Sequence, residues 1–122
     1  DRLRSRGLGD VYKRQEQDRF HIVMNESLAV ALLTNLLKNA FVHNMDGGRI
    51  QIIITKNSIT FRNSGSGHPL DEEHIFERFY QGSKKEGSTG LGLAIADSIC
   101  RLQHLNIRYY FEQEEHCFEI LK

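Results

Sequence analysis

The sequence predicts an α/β fold: a two-layer α/β sandwich with a mixed sheet and helices on one face. Three observations predict it. Residues 26–44 repeat apolar side chains at intervals of three and four, as an amphipathic helix does. Residues 49–63 and 105–120 alternate apolar and polar side chains by two, as half-buried strands do. The strand segments follow one another through short turns, so hairpin pairing with helices gathered on one side fits better than a doubly wound sheet. At 122 residues, with 39% hydrophobic residues and one proline, the chain suits a single domain with one core.

The first fifteen residues carry no apolar periodicity and hold five of the 16 basic residues, Arg2, Arg4, Arg6, Lys13 and Arg14. The run SRGLGDVYKRQ, residues 5–15, resembles the in-frame translation of a transposon-type sequencing adapter. Residues 1–15 are therefore expected to be a non-native, disordered leader, with native coding sequence entering in mid-gene near Glu16 and the chain a fragment. Taking those five bases and the acidic Asp1 and Asp10 from 16 of each sign leaves 11 basic against 14 acidic residues. A mildly acidic domain has no electrostatic footprint for nucleic acid. No apolar stretch approaches the roughly 20 residues of a membrane span, so no membrane contact by this piece is expected. Cys100 and Cys117 lack a C-x-x-C partner and read as reduced thiols in a cytoplasmic setting.

After a short apolar run at 20–24, Asn25 and Glu26 supply an N-cap and an acidic first turn for the long helix. Ala29, Leu32, Leu33, Leu36, Leu37, Ala40 and Phe41 form its expected core stripe. Asn35 and Asn39 stand one turn apart, so with Lys38 they run along the edge of that stripe. The Asp46-Gly47-Gly48 break leads into a strand over 49–55, with Ile50, Ile52 and Ile54 on one side. A turn at Lys56-Asn57 opens the next strand over 58–63, where Ile59, Phe61 and Asn63 share the inward register. A polar amide at the end of an apolar row needs a buried partner, and a ligand is one candidate. A short helix is expected over 69–79, anchored by Ile75, Phe76 and Phe79, followed by a polar loop over 81–89 that reads as mobile. Helical spacing returns over 90–103, with Leu91, Ile95, Ile99 and Leu102 as the buried line. Two closing strands place Leu105, Ile107, Tyr109 and Phe111, then Phe118 and Ile120, toward the core.

Three segments along this frame describe a nucleotide pocket: Asn35 to Ala40, Asn63 to Gly67, and Gly87 to Leu93. Magnesium keeps most of its water and takes one or two protein oxygens, which Asn39 could supply while Asn35 holds a phosphate or a coordinated water. Mid-helix amides also cap or bridge backbone, and glycine pairs also mark plain turns. Gly65 and Gly67 remove side chains where backbone would approach a flat ring, and Asn63 offers an acceptor and two donors to an adenine edge. Gly90 and Gly92 open a helix whose amides suit an anionic phosphate chain, with Arg78, Lys84 and Lys85 within reach or merely solvated. There is no G-x-x-x-x-G-K-[ST], and Gly90-x-Gly92 meets Ile95 where a dinucleotide fingerprint wants its third glycine.

With these segments in this order, the chain from about Phe20 onward resembles the catalytic ATP-binding (HATPase) domain of sensor histidine kinases of two-component systems. Their superfamily also holds gyrase, heat-shock chaperone and mismatch-repair ATPases. Residues 32–43 resemble the N box, 63–67 the first glycine box, 75–80 the F box and 87–95 the second glycine box. The resemblance implies a Bergerat-type ATP-binding fold and ATP with Mg2+ as ligands. It also implies Asn39 as metal ligand with Asn35 beside it as catalytic residues, and Gly65 and Gly67 as the adenine floor. Gly90, Leu91 and Gly92 would contact phosphates, and His43 would lie beside adenine.

The implied reaction is donation of the γ-phosphoryl group to a histidine on a separate dimerisation domain, with a response regulator as the next partner. It places the domain in the cytoplasm and allows an inner-membrane anchor in the parent protein. None of His21, His43, His68, His74, His104 and His116 is followed by the acidic neighbour and Thr/Asn-Pro of an acceptor motif, so ATP binding without self-phosphorylation is expected.

Three departures stand out. Asn63 occupies a place where the family usually has aspartate, at an expected cost of ~1 to 1.5 kcal/mol, or about tenfold in affinity. Val42 stands where a base is frequent, and the family's opening strand is curtailed, which would bare a sheet edge. The competing expectations are a catalytically silent nucleotide-binding or docking module, and another ATPase or serine kinase of the superfamily.

Overall fold

A computed structural model describes residues 8–15, 19–42, 47–65, 67–78 and 91–122. The chain runs β1 (Leu8–Gln15), α1 (Glu26–Val42), β2 (Gly48–Ile54), β3 (Ser58–Ser64), α2 (Gly92–Leu102), β4 (Asn106–Glu112) and β5 (Glu115–Leu121). The strands form one sheet in the order β1-β2-β3-β5-β4. β1 is parallel to β2, and the other three pairings are antiparallel. This is the mixed two-layer sandwich that the alternation and helical spacing predict.

Register explains the core. Ile50, Ile52 and Ile54 face Asn63, Phe61 and Ile59 across β2–β3, and those three face His116, Phe118 and Ile120 across β3–β5. Phe111, Tyr109 and Ile107 complete the rows on β4. Successive side chains alternate faces, so these rows form one apolar surface. Onto it pack Leu32 and Leu36 of α1, Ala96, Ile99 and Cys100 of α2, and Ile75 from the segment between β3 and α2. Phe118, Leu36, Ile50, Ile75 and Ile120 are among the most deeply buried side chains, each worth about 1.5–3 kcal/mol of transfer free energy. Phe20 and Met24 pack against the same cluster.

The opposite face of the sheet is a lattice of charge. Arg49 and Arg62 both bond Glu115, Arg62 also pairs with Glu112, and Arg108 pairs with Glu119. Burial opposes ionisation of Glu115, but hydrogen bonds and charge from Arg49 and Arg62 outweigh it and hold the carboxyl below its usual range. Cys117 stands in register between Arg62 and Tyr110. Both cysteines are free and buried, and burial pushes each thiol up to about 11.

Several expectations are corrected in detail. Residues 8–15, expected to be disordered, form β1 and pair along the outer edge of β2, which is therefore covered. Ladder hydrogen bonds come from backbone groups, so pairing does not require apolar periodicity in the side chains. The helix expected over 69–79 is instead a run of turns through residue 76, with three-residue spacing in His74 N–H to Asp71 O and Glu77 N–H to His74 O. There Asp71 Oδ1 accepts from Glu73 N–H, a local bond that competes with helical pairing. Leu33, Ile95 and Leu102 are 41%, 41% and 65% exposed rather than core. The buried residues of α2 are Ala94, Ala96, Ile99 and Cys100, because α2 turns its small residues toward α1 and the sheet. The loop expected over 81–89 lies outside the described residues.

Candidate nucleotide-binding site

The site is built outward from α1. Asn25 Oδ1 accepts from the N–H groups of Ser27 and Leu28, at 2.8 and 3.3 Å, and caps the helix as its residue type predicts. Leu32, Leu36 and Ala40 bury one stripe, which leaves Asn35 and Asn39 half-buried beside it and Lys38 exposed. Asn35 donates from Nδ2 to the carbonyl of Ala31 at 2.7 Å. That bond fixes the amide plane and turns its other end, Oδ1, toward α2. A Cβ added to Gly92 would lie 3.2 Å from this oxygen. The N-box helix and the second glycine segment therefore meet directly, and the contact leaves little room for a side chain at residue 92.

α2 starts at Gly92 with Leu91 in the N-cap position, no side-chain cap and no acidic residue in its first turn. Among the described residues no acidic side chain stands in that first turn to offset the positive end of the helix dipole, which suits an anion. A cleft of about 380 Å³ runs along α1, lined by Glu26, Ser27, Val30, Ala31, Thr34 and Asn35. It takes in Asn35 but not Asn63.

Asn63 is 1% exposed and sits on β3 between Ile50 and His116. Its Nδ2 donates to the carbonyl of Ser64 at 2.8 Å, while its Oδ1 has no hydrogen-bond partner among the described residues. A buried acceptor without a partner costs about 1–3 kcal/mol, so this oxygen fits a site that awaits a donor such as the amino group of adenine. Ile50 packs in turn against Ala40, the neighbour of Asn39. The amide row of α1 and the end of β3 therefore adjoin across the Ala40–Ile50 cluster, against which Leu37 and Phe41 also pack.

Two glycines of the first glycine segment are required for different reasons. Gly67 has φ +87° with open space around it, so its need is conformational. At Gly65 a Cβ would lie 2.1 Å from Nε2 of His116. Residue 65 must therefore be bare because a protein ring stands against it. Sequence reasoning missed His116. The signal was present, since the period of two that places Phe118 and Ile120 inward reaches back to residue 116.

The remaining candidates are dispersed. Arg78 is exposed on the segment leading away from the turns, and it has an interaction partner. Val42 is the last residue of α1 and half-buried. His43, Lys84, Lys85 and Gly90 lie outside the described residues. The turn holds an exposed group of Asp71, Glu73 and His74. There a hydrogen bond to Glu77, then the charges of Glu77 and Asp71, raise the imidazole above its ordinary value. Among the described residues no helix is long and apolar enough to cross a membrane.

Residues 24–120 match the model of the histidine kinase-, DNA gyrase B- and HSP90-like ATPases. This chain belongs to that family. Within it the similarity is to sensor histidine kinases. Sensor histidine kinase YvrG of Bacillus subtilis is 36% identical over 111 residues, 81% of this chain and 19% of that protein. Sensor histidine kinase RppB of Synechocystis is 45% identical over 84 residues, 62% of this chain and 18% of that protein. The heme sensor protein HssS of Staphylococcus aureus is 42% identical over 90 residues, 70% of this chain and 20% of that protein. The chain thus spans about a fifth of these relatives' length. Among solved structures, the catalytic domain of histidine kinase ThkA superposes with a TM-score of 0.80 at 20% identity, covering 98% of this chain and 80% of that one. The mycobacterial sensor histidine kinase MprB gives 0.77 at 22% identity, covering 98% and 86%. The domain is the catalytic ATP-binding domain of a sensor histidine kinase, as its four boxes led the sequence to imply.

Proposed function

We propose that this domain binds Mg-ATP between α1, the Asn63–Gly67 bend and the start of α2, and donates the γ-phosphoryl group to a histidine on a separate dimerisation domain of the parent kinase. The observation that carries the reading is the orphaned, buried Oδ1 of Asn63 at one end of a site whose other end brings Asn35 against Gly92. Bound Mg-ATP supplies the transferable group and the cation that offsets its charge.

The chain's own residues bind and orient. Asn63 accepts from the adenine amino group, and Gly65 and Gly67 shape the bend beneath the base, with His43 at its side. Asn39 offers the metal one amide oxygen. Asn35, held by the Ala31 carbonyl, orders the phosphate side. The amides at Gly90, Leu91 and Gly92, with Lys38, Arg78, Lys84 and Lys85, offset phosphate charge. In this reading residues 16–122 are the functional unit and 1–15 are a non-native leader, of which residues 8–15 form the edge strand β1. The parent holds the domain in the cytoplasm, from an inner-membrane anchor, and passes its phosphoryl group to a response regulator. The solved complex of histidine kinase ThkA with response regulator TrrA is a precedent for such a partner.

Titration with a fluorescent ATP analogue and magnesium tests the proposal. Saturable micromolar binding that Asn39→Ala removes supports it, with no label fixed on the chain from labelled ATP. Absence of saturable binding overturns it in favour of a silent docking module.

A further inference from the structure

We infer that His116, held by Tyr109, is a positioning residue for the base side of the nucleotide site. The inference rests on the nucleotide-binding reading above. Four contacts fix the imidazole. Its Nδ1 lies 2.7 Å from the Tyr109 hydroxyl. Its faces meet the Tyr109 ring, centroids 5.9 Å apart and nearly parallel, and the Phe111 ring at 5.0 Å. Its Nε2 edge abuts Gly65 so closely that a methyl there would overlap the ring.

The Tyr109 hydroxyl also accepts from the backbone N–H of Leu70, at 2.9 Å. The two rings therefore brace both ends of the 65–70 segment, His116 at its first residue and Tyr109 at its last. Asn63, whose free oxygen awaits the base, is directly opposite His116 in the sheet.

The choice of residue separates bracing from filling. At 6% exposure an imidazole must be desolvated, and a phenylalanine would fill the same aromatic cluster without that cost. What histidine adds is a polar edge at each end. The Tyr109 hydroxyl joins Leu70 N–H to Nδ1, and the opposite ring nitrogen, Nε2, stands beside Gly65. The register of this pair thus sets how far the first glycine bend stands from Asn63 Oδ1, and hence where a base must lie to reach that oxygen.

The test uses the full chain and three probes: ADP, adenosine and inorganic tripolyphosphate with magnesium. Tyr109→Phe deletes one hydroxyl, and His116→Phe keeps a ring but removes both nitrogens. Each is expected to weaken ADP and adenosine about tenfold, to leave tripolyphosphate unchanged, and to melt within a few degrees of wild type. A loss shared equally by tripolyphosphate, or unchanged adenosine affinity in both variants, overturns the inference while leaving nucleotide binding in place. Wild-type protein that binds none of the probes overturns both readings. Gly65→Ala supplies a steric check: its methyl should abolish adenosine binding in wild type and cost far less in a His116→Ala background, and equal cost in both overturns the contact. If the Phe variants do not fold, a long-range 15N–1H spectrum of wild type decides. Nitrogen shifts of His116 that move with adenosine but not with tripolyphosphate support the role, and any other pattern overturns it.

Discussion

Asn63→Leu should make the empty domain more stable and the nucleotide weaker, a trade that only a ligand-directed oxygen produces. Leucine branches at the same carbon as asparagine, so the side chain keeps its shape at a position that is 1% exposed. Removing the unpaired Oδ1 relieves about 1–3 kcal/mol, and one more buried apolar side chain beside Ile50 adds about 1 kcal/mol. Against this stand the bond from Nδ2 to the Ser64 carbonyl, worth about 1 kcal/mol net, and about 1 kcal/mol of crowding from the larger methyl groups.

The sum is about 0–2 kcal/mol in favour of the variant, and its midpoint of about 1 kcal/mol is roughly 3–6 °C in melting temperature for a domain of this size. ATP affinity should fall about 10- to 100-fold, because the adenine amino group would lose its acceptor. Circular-dichroism melts with and without Mg-ATP measure both quantities at once. A variant that melts below wild type and keeps its nucleotide-induced shift would refute the reasoning, since Asn63 would then be a structural amide with its oxygen satisfied.

Two further outcomes follow from the same geometry. Gly92→Ala should leave the melting temperature within about 2 °C, because alanine suits a helix start, yet weaken ATP several-fold by pushing on Asn35 Oδ1 from 3.2 Å. Removing Asn35 as well should erase the added penalty of the methyl group in a double-mutant cycle. On the charged face, the folded-state value of Glu115 is depressed by Arg49 and Arg62. The stability it contributes is therefore full above the unfolded carboxylate value near 4.3 and is lost as pH falls through the depressed value. Urea midpoints measured from pH 7 to pH 3 should fall more steeply for wild type than for Glu115→Gln, and parallel profiles would show that the pair carries no such linkage.

Local rules made much of the molecule legible. The three-and-four spacing located α1, the Asn25 cap marked its start, and the period of two assigned both faces of β3 and β5, including the inward turn of Asn63. The same rules failed where a neighbour decides. Leu33, Ile95 and Leu102 fit helical stripes by spacing, yet they are exposed because α1 and α2 meet each other and the sheet through other residues. Ile75 and Phe76 anchor the segment before α2 from turns rather than from a helix, since two burial points are enough to hold a chain that its acidic residues bond locally.

By itself the sequence determined the kind of fold, the order of the four boxes and the family, because each is written within a window of a dozen residues. Only the tertiary structure decided that Asn35 lies against Gly92, that His116 stands behind Gly65, and that residues 8–15, without apolar periodicity, cover the edge of β2. These are contacts between segments roughly 40 to 60 residues apart in the chain, set by strand register and by how closely two backbones approach. Such distances arise from the packing of the whole domain, and no local pattern encodes them.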